Sequence, residues 1–127
     1  MNFGYYFEGA YGMTSKGLDG AAQIIAIMTN FRNTQLTEFS GLKVEAIRDY
    51  ESDQRVSLID VSQTKMGFPK ANVMYYELEN HAWFAARPSG NEPKIKFYFG
   101  VNEESFNDAQ AKVEEMKATL LGTGLLA

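Results

Sequence analysis

Cysteine is absent from this 127-residue sequence, which also contains only one histidine, one tryptophan and three prolines. Without cysteine the chain has neither disulfide bonds nor thiol chemistry, and this suits the cytoplasm, where we expect the protein to reside. The first residues show no charged segment followed by an apolar run, so no signal peptide is recognisable. The longest apolar runs are far shorter than a membrane span, and we expect no membrane partner.

Positive charge is also scarce, because 12 Lys and Arg residues stand against 16 Asp and Glu residues and give a net charge of -4. A general nucleic-acid binder needs a basic surface, so we expect no nucleic acid as a partner. Hydrophobic residues make up 45% of the chain and charged residues 22%, which is typical of a globular domain. We expect one domain over residues 1–122 and a frayed tail over residues 123–127.

Hydrophobic periodicity predicts the secondary structure. Aromatic or alternating segments predict strands over residues 5–13, 42–50, 73–78, 82–86 and 94–101. A helix is predicted after Asp19, which would cap it. Its buried face would carry Ala21, Ile24, Ile25, Met28 and Phe31. Residues 51–72 carry the weakest signal and predict a long irregular loop, with a short strand over residues 56–61 as the alternative.

A second helix is predicted after Asn102, with Glu103 and Glu104 in its first turn and Gly122 at its end. With every predicted strand counted the order is β-α-β-β-β-β-α; the compact form β-α-β-β-β-α, which counts four of the five strands, is the one expected for the sheet. Each helix has one apolar face. The economical packing places both helices on one face of a mostly antiparallel four-stranded sheet. The predicted fold class is therefore a two-layer α+β domain.

A loop rich in small residues and cations separates the last two predicted strands. A turn of this kind can direct several backbone N–H groups toward one point, and flanking Arg and Lys add full charges, so the loop suits an anion. Arg87 could contact two phosphate oxygens at once, and Gly90 would let the backbone approach closely. The stretch reads Arg87-Pro88-Ser89-Gly90-Asn91-Glu92-Pro93-Lys94-Ile95-Lys96-Phe97-Tyr98.

These residues resemble the C-terminal phosphate-binding signature of the α-D-phosphohexomutases, the phosphoglucomutase and phosphomannomutase enzymes. Eleven of the twelve positions fit the usual form, and Asn91 replaces the usual Thr. The resemblance covers essentially the whole chain but only the fourth and last domain of that family, and the bacterial phosphoglucomutases are the most similar branch. It implies a four-stranded antiparallel sheet with two helices, similar to one repeat of the TATA-box-binding protein.

The resemblance also implies a role. A phosphohexomutase interconverts hexose 1-phosphate and hexose 6-phosphate, and its last domain holds the non-transferring phosphate of the substrate. In this chain it implies no catalytic residue and no metal ligand. Lys94 is the alternative to Lys96 as the second cation. The implied phosphate contacts come from Arg87, Ser89, Gly90, Asn91 and Lys96.

The family's phosphoserine, magnesium and sugar-specificity loops do not occur in this sequence. We therefore expect a separated C-terminal domain that is inactive alone, with Met1 as an added start. Its expected partners are hexose phosphate and the three preceding domains of the same enzyme. Mg²⁺ and hexose 1,6-bisphosphate would be required only by the full-length enzyme.

Other interpretations stay open. The alternative function is a free-standing α+β ligand-binding or interaction module without a catalytic role; a purely structural or oligomerising domain is a further alternative. Glu92 is expected to brace the loop or Arg87, and His81 is best explained as a turn residue. Three tyrosines could belong to the core, to the sheet face or to a domain interface: Tyr75, Tyr76 and Tyr98.

Overall fold

The computed structural model describes residues 5–15, 17, 19–90 and 92–126. Its elements are β1 (Tyr5–Thr14), α1 (Gly20–Asn33), β2 (Glu38–Phe39), β3 (Leu42–Asp49), β4 (Gln54–Ser57), β5 (Gln63–Lys65), β6 (Met74–Leu78), β7 (Trp83–Pro88), β8 (Lys94–Glu103) and α2 (Phe106–Leu121). The strands pair antiparallel in the order β1-β8-β7-β6-β3-β4-β5, with β2 beside β3. The predicted α+β fold with an antiparallel sheet and two helices is confirmed.

Both helices pack on one face of the sheet, where the core lies. Side chains alternate along a strand, so β8 buries every second residue. Those core residues of β8 are Ile95, Phe97, Phe99 and Val101. The helices add Ile24, Ile27, Met28, Phe31, Ala109, Val113, Met116 and Leu120. The opposite side of the sheet, on which neither α1 nor α2 packs, is called the open face. Tyr76 belongs to the core, whereas Tyr75 and Tyr98 are half-buried on the open face.

The segment predicted as a long irregular loop instead contains β4 and β5, a hairpin that extends the sheet beyond β3. The sheet is therefore larger than the four strands expected. These two short strands are rich in polar residues and are joined to the sheet by backbone hydrogen bonds, which leave little hydrophobic pattern in the sequence.

A β-bulge in β3 corrects a second expectation. The pairing of β3 with β6 shifts register between Val44 and Ala46. One extra residue reverses the faces that follow. Regular alternation along the strand predicted over residues 42–50 would place Ile47 on the face opposite Val44. After the bulge Ile47 packs against the same core, while Arg48 reaches the ring of Tyr75 on the open face.

The helix ends also differ from expectation. Strand β8 continues to Glu103, so α2 begins at Phe106 rather than after Asn102. Its cap is Ser105, whose hydroxyl accepts a hydrogen bond from the Asp108 N–H at 3.1 Å. Gly122 ends this helix as predicted.

Helix α1 begins next to Asp19, but the Asp19 side chain makes no capping hydrogen bond. On its core side, Ile27 is buried in place of Ile25, which is 65% exposed. The buried face is thus turned slightly from the one that the apolar spacing predicts.

The loop between β7 and β8 is held against the start of α1. The Ser15 N–H donates to the Pro93 carbonyl oxygen at 2.8 Å. A Cβ on Gly20 would lie 2.7 Å from the Ser15 carbonyl oxygen and 2.9 Å from the Pro93 Cβ, so only glycine permits this approach. The contact fixes one side of the loop that carries the candidate site.

Residues after α2 also contact the core. The Asn30 side-chain amide donates to the Leu125 carbonyl oxygen at 3.0 Å, and Leu125 and Leu126 pack partly buried against core residues. No helix in the described part of the chain is both long enough and apolar enough to cross a bilayer.

Candidate anion-binding site

Two cations face each other where β7 pairs with β8. The strand register places Arg87 directly opposite Lys96, and both side chains are exposed on the open face. Like charges in this position repel and destabilise a sheet. Among residues 5–15, 17, 19–90 and 92–126, no carboxylate lies within salt-bridge distance of either cation. Two positive charges are therefore available to a ligand.

Lys94 has a different environment from Lys96. Its ammonium nitrogen lies 3.2 Å from the Glu92 Oε2, and both side chains are about half exposed. Glu92, which was expected to brace the loop or Arg87, therefore pairs with Lys94. Lys94 thus has a carboxylate partner among the described residues and Lys96 has none, and which lysine contacts an anion stays a prediction.

An open cleft of about 350 Å³ lies beside the cation pair. Its walls are Arg87, Pro88, Ser89, Gly90, Glu92, Lys94, Lys96 and Tyr98. A larger cleft of about 600 Å³ lies on the helix side of the same loop and shares Arg87, but apolar side chains such as Ile24 and Ile25 form much of its wall. The smaller cleft suits an anion better because three cations line it.

The loop backbone offers fewer amides than its composition indicates. The Ser89 N–H already donates to the Lys94 carbonyl oxygen at 2.9 Å. The Gly90 N–H has no backbone acceptor among the described residues, and the Ser89 side chain is exposed. Asn91 lies outside the described residues, so its contact stays a prediction. Of the predicted set, the fold brings together Arg87, Ser89, Gly90 and Lys96, with Lys94 beside them.

Sequence reasoning missed the contribution of β1. This strand pairs with β8 so that Gly12 lies opposite Lys96 and Thr14 opposite Lys94. A Cβ on Gly12 would have the Lys96 Cγ as its nearest neighbour, at 3.9 Å, so space remains beside the cation. The pattern of β1 gave no signal of this, because the topology of the whole sheet decides which strand lies next to β8.

The rest of the open face carries a row of paired side chains, here called the belt. The Tyr75 and Trp83 rings stack with their centroids 5.2 Å apart. The Arg48 guanidinium lies 4.5 Å from the Tyr75 centroid, and the Trp83 Nε1–H donates to the Tyr6 hydroxyl at 2.9 Å. The members of the belt are Tyr6, Arg48, Arg55, Tyr75, Glu77 and Trp83.

Glu77 joins the two arginines of the belt. Its carboxylate accepts hydrogen bonds from the Arg55 Nε at 2.7 Å and from the Arg48 Nε at 2.8 Å. These bonds, the one from Arg55 first, outweigh the cost of partial burial and lower the pKa of Glu77 to about 2. The belt therefore satisfies its charges within the protein.

His81 lies exposed in the 3₁₀ turn Glu79–His81 that joins β6 to β7. Within the described ranges, no group of three or more His, Asp or Glu side chains is arranged to hold a metal ion.

Of two comparisons with known proteins, one found relatives and the other did not. No family model matches the chain. The chain is 37% identical over 113 residues to a phosphoglucomutase from Staphylococcus aureus and 37% identical over 114 residues to one from Staphylococcus epidermidis. These matches include 89% and 90% of this chain but 20% and 21% of the relatives, so it spans about one fifth of their length. The resemblance to bacterial phosphoglucomutases is confirmed, and this fraction is consistent with a single C-terminal domain.

Proposed function

We propose that this chain, similar to one fifth of a bacterial phosphoglucomutase, is the domain of a phosphohexomutase that holds the non-transferring phosphate of a hexose phosphate. The observation that carries the proposal is the cross-strand pair of Arg87 and Lys96. Their mutual repulsion costs stability, and a bound anion would offset it. The similarity to phosphoglucomutases supports a sugar phosphate as that anion.

The proposed task needs charge and position rather than a nucleophile. The site would hold the phosphate of either isomer, hexose 1-phosphate or hexose 6-phosphate, as the reaction turns over. Arg87 provides a planar fork for two phosphate oxygens, and Lys96 adds a point charge from the next strand. The Ser89 hydroxyl and the Gly90 N–H would donate to the remaining oxygens. The resemblance implies that Asn91 also contacts the phosphate.

The chemistry would take place in the rest of the full-length enzyme. There we place the phosphoserine, the Mg²⁺ and the exchange with hexose 1,6-bisphosphate. The three preceding domains would then be the partners of this chain. We expect the 127-residue chain to bind hexose phosphate without interconverting its isomers.

A heteronuclear NMR titration of the chain with glucose 1-phosphate tests the proposal. We expect shifts of the Ser89 and Gly90 amide signals that weaken with added salt, because the contacts are ionic. Arg87→Ala should lower the affinity about tenfold or more, since it removes a charge-assisted bidentate contact.

Lys117→Ala is the matched control. It also removes one positive charge, but from α2, where Lys117 pairs with Glu114 at 3.0 Å. We expect this variant to bind glucose 1-phosphate as the wild type does. Equal affinities of the two variants would contradict a specific site at Arg87.

A further inference from the structure

Tyr98 lies on the open face two residues after Lys96 and lines the same cleft. The strand register places Ala85 on one side of it and Ala10 on the other. Neither alanine side chain is large enough to cover an aromatic ring. Tyr98 is accordingly half-buried, with part of its surface open to the cleft.

The other large rings of this face are engaged within the belt, whereas Tyr98 is not. In the part of the chain that the structure describes, no aromatic ring stacks on Tyr98 and no cation lies over it. Trp83 lies instead over Gly100, where a Cβ would come 2.0 Å from its Nε1. Tyr98 thus lies between the end of the belt and the cation pair, and none of the described rings or cations pairs with it.

We infer that Tyr98 is a sugar-binding residue, whose ring packs against the hexose of a phosphate ester held by Arg87 and Lys96. The inference rests on the proposed function. Two residues along a strand span about 7 Å, which is the scale of one sugar ring beyond a phosphate. The cleft of about 350 Å³ is also larger than a phosphate group needs.

The chemistry of the ring suits this role. An aromatic face is electron-rich, and the C–H groups on the flat side of a sugar ring carry a small positive charge. Such a contact depends on an apolar surface rather than on one hydroxyl group. It therefore tolerates a hexose bound in either of two orientations, as the proposed reaction requires.

Binding measurements with glucose 1-phosphate and methyl phosphate test the inference, because methyl phosphate has the ester phosphate without the ring. We expect the wild-type chain to prefer glucose 1-phosphate. Tyr98→Leu should reduce that preference about three- to tenfold, whereas Tyr98→Phe, which retains the ring, should preserve it. Neither change should alter the affinity for methyl phosphate.

Arg87→Ala separates this inference from the proposed function, because it should weaken both ligands. A preference that survives Tyr98→Leu, together with loss of both ligands in Arg87→Ala, would refute the sugar contact and leave the phosphate site standing. Unchanged binding of both ligands in Arg87→Ala would refute the phosphate site itself. Amide signal dispersion verifies that each variant is folded. If Tyr98→Leu is not folded, Tyr98→Met replaces it as a variant without the ring.

Binding of adenosine monophosphate tests the remaining alternative, in which a nucleobase rather than a sugar stacks on Tyr98. We expect it to bind no more tightly than methyl phosphate. If it binds more tightly than glucose 1-phosphate, and that advantage is lost in Tyr98→Leu but kept in Tyr98→Phe, the ring recognises a base and the sugar inference is overturned.

Discussion

The two ends of the open face differ in whether their cations are paired with a carboxylate. In the belt, Arg48 and Arg55 each lie within 2.8 Å of the Glu77 carboxylate. At the loop end, Arg87 and Lys96 face each other, and no carboxylate of the described residues lies within salt-bridge distance of either. Both regions lie on the same side of one sheet, and neither is deeply buried. The difference indicates that charges of the belt stabilise the sheet, whereas those of the loop end are available to a ligand.

The space around two glycines differs between the same two regions. Gly100 lies under the Trp83 indole and leaves no room for a methyl group, whereas Gly12 beside Lys96 has open space. The belt is therefore a packed surface, and the loop end is an open one. Substitutions at matched positions should affect the two regions differently.

The largest effect is expected for Gly100→Ala. Its methyl group would lie 2.0 Å from the Trp83 Nε1, so the indole would have to move and lose its stack on Tyr75 and its hydrogen bond to Tyr6. We expect the free energy of unfolding to fall by about 2–3 kcal/mol in urea denaturation.

Gly12→Ala is the control on the same face. The nearest atom to its methyl group would be the Lys96 Cγ at 3.9 Å, an ordinary contact. We expect a change within about 0.5 kcal/mol. Equal losses for the two substitutions would remove the distinction between a packed belt and an open loop end.

The next effect is expected for Glu77→Gln, and it should depend on pH. The pKa of Glu77 is about 2 in the folded chain against its ordinary value of 4.5. A lowered carboxylate pKa contributes stability that is fully present above about pH 4.5 and is lost as the pH falls toward 2. After allowance for solvent screening, we expect the wild type to exceed the variant by about 2 kcal/mol near neutral pH.

Urea unfolding of both proteins across this pH range measures the contribution. The difference between them should shrink as Glu77 takes up a proton, since the wild type then also carries a neutral side chain beside Arg48 and Arg55. A difference that stays constant from neutral pH to pH 2 would show that the ion pairs of the belt do not stabilise the sheet.

The sequence predicted the loop end better than the belt, for a physical reason. Residues 87–98 are contiguous, so their small residues and cations form a motif that is visible in the sequence itself. The pairing of Arg87 with Lys96 follows from a single hairpin. Their functional assignment depends on the resemblance to the phosphohexomutases, because small residues and cations in a turn indicate an anion but not which one.

The belt could not be predicted in the same way. Its residues come from β1, β3, β4, β6 and β7, and they meet only through the order of strands in the sheet. Arg48 reaches Tyr75 only after the bulge between Val44 and Ala46, which no alternation of apolar residues reveals. Contacts that depend on topology and on one extra residue leave no local signature.

A pair of lysine and arginine substitutions should have effects of opposite sign. Arg48→Met removes one partner of Glu77 and the cation over Tyr75, and we expect a loss of about 1 kcal/mol. Lys96→Met removes the repulsion from Arg87, and we expect a gain of about 0.3 kcal/mol. Denaturation at low and high salt measures both, and salt should reduce each effect. A loss of stability in Lys96→Met would mean that Lys96 stabilises the sheet rather than destabilising it by repulsion from Arg87.

The smallest effect is expected for Lys94→Met. This variant tests whether a loop-end cation that is paired within the protein, like the cations of the belt, contributes little to ligand binding. Lys94 lies in the candidate cleft, yet it pairs with Glu92 at 3.2 Å. This exposed pair should contribute less than about 0.5 kcal/mol to folding. Because Glu92 already offsets its charge, Lys94→Met should weaken glucose 1-phosphate binding less than about threefold, against about tenfold for Lys96→Met. If the two lysine variants lose equal affinity, pairing within the free protein does not decide which cation the ligand uses, and the contrast between the two ends of the face would concern stability alone.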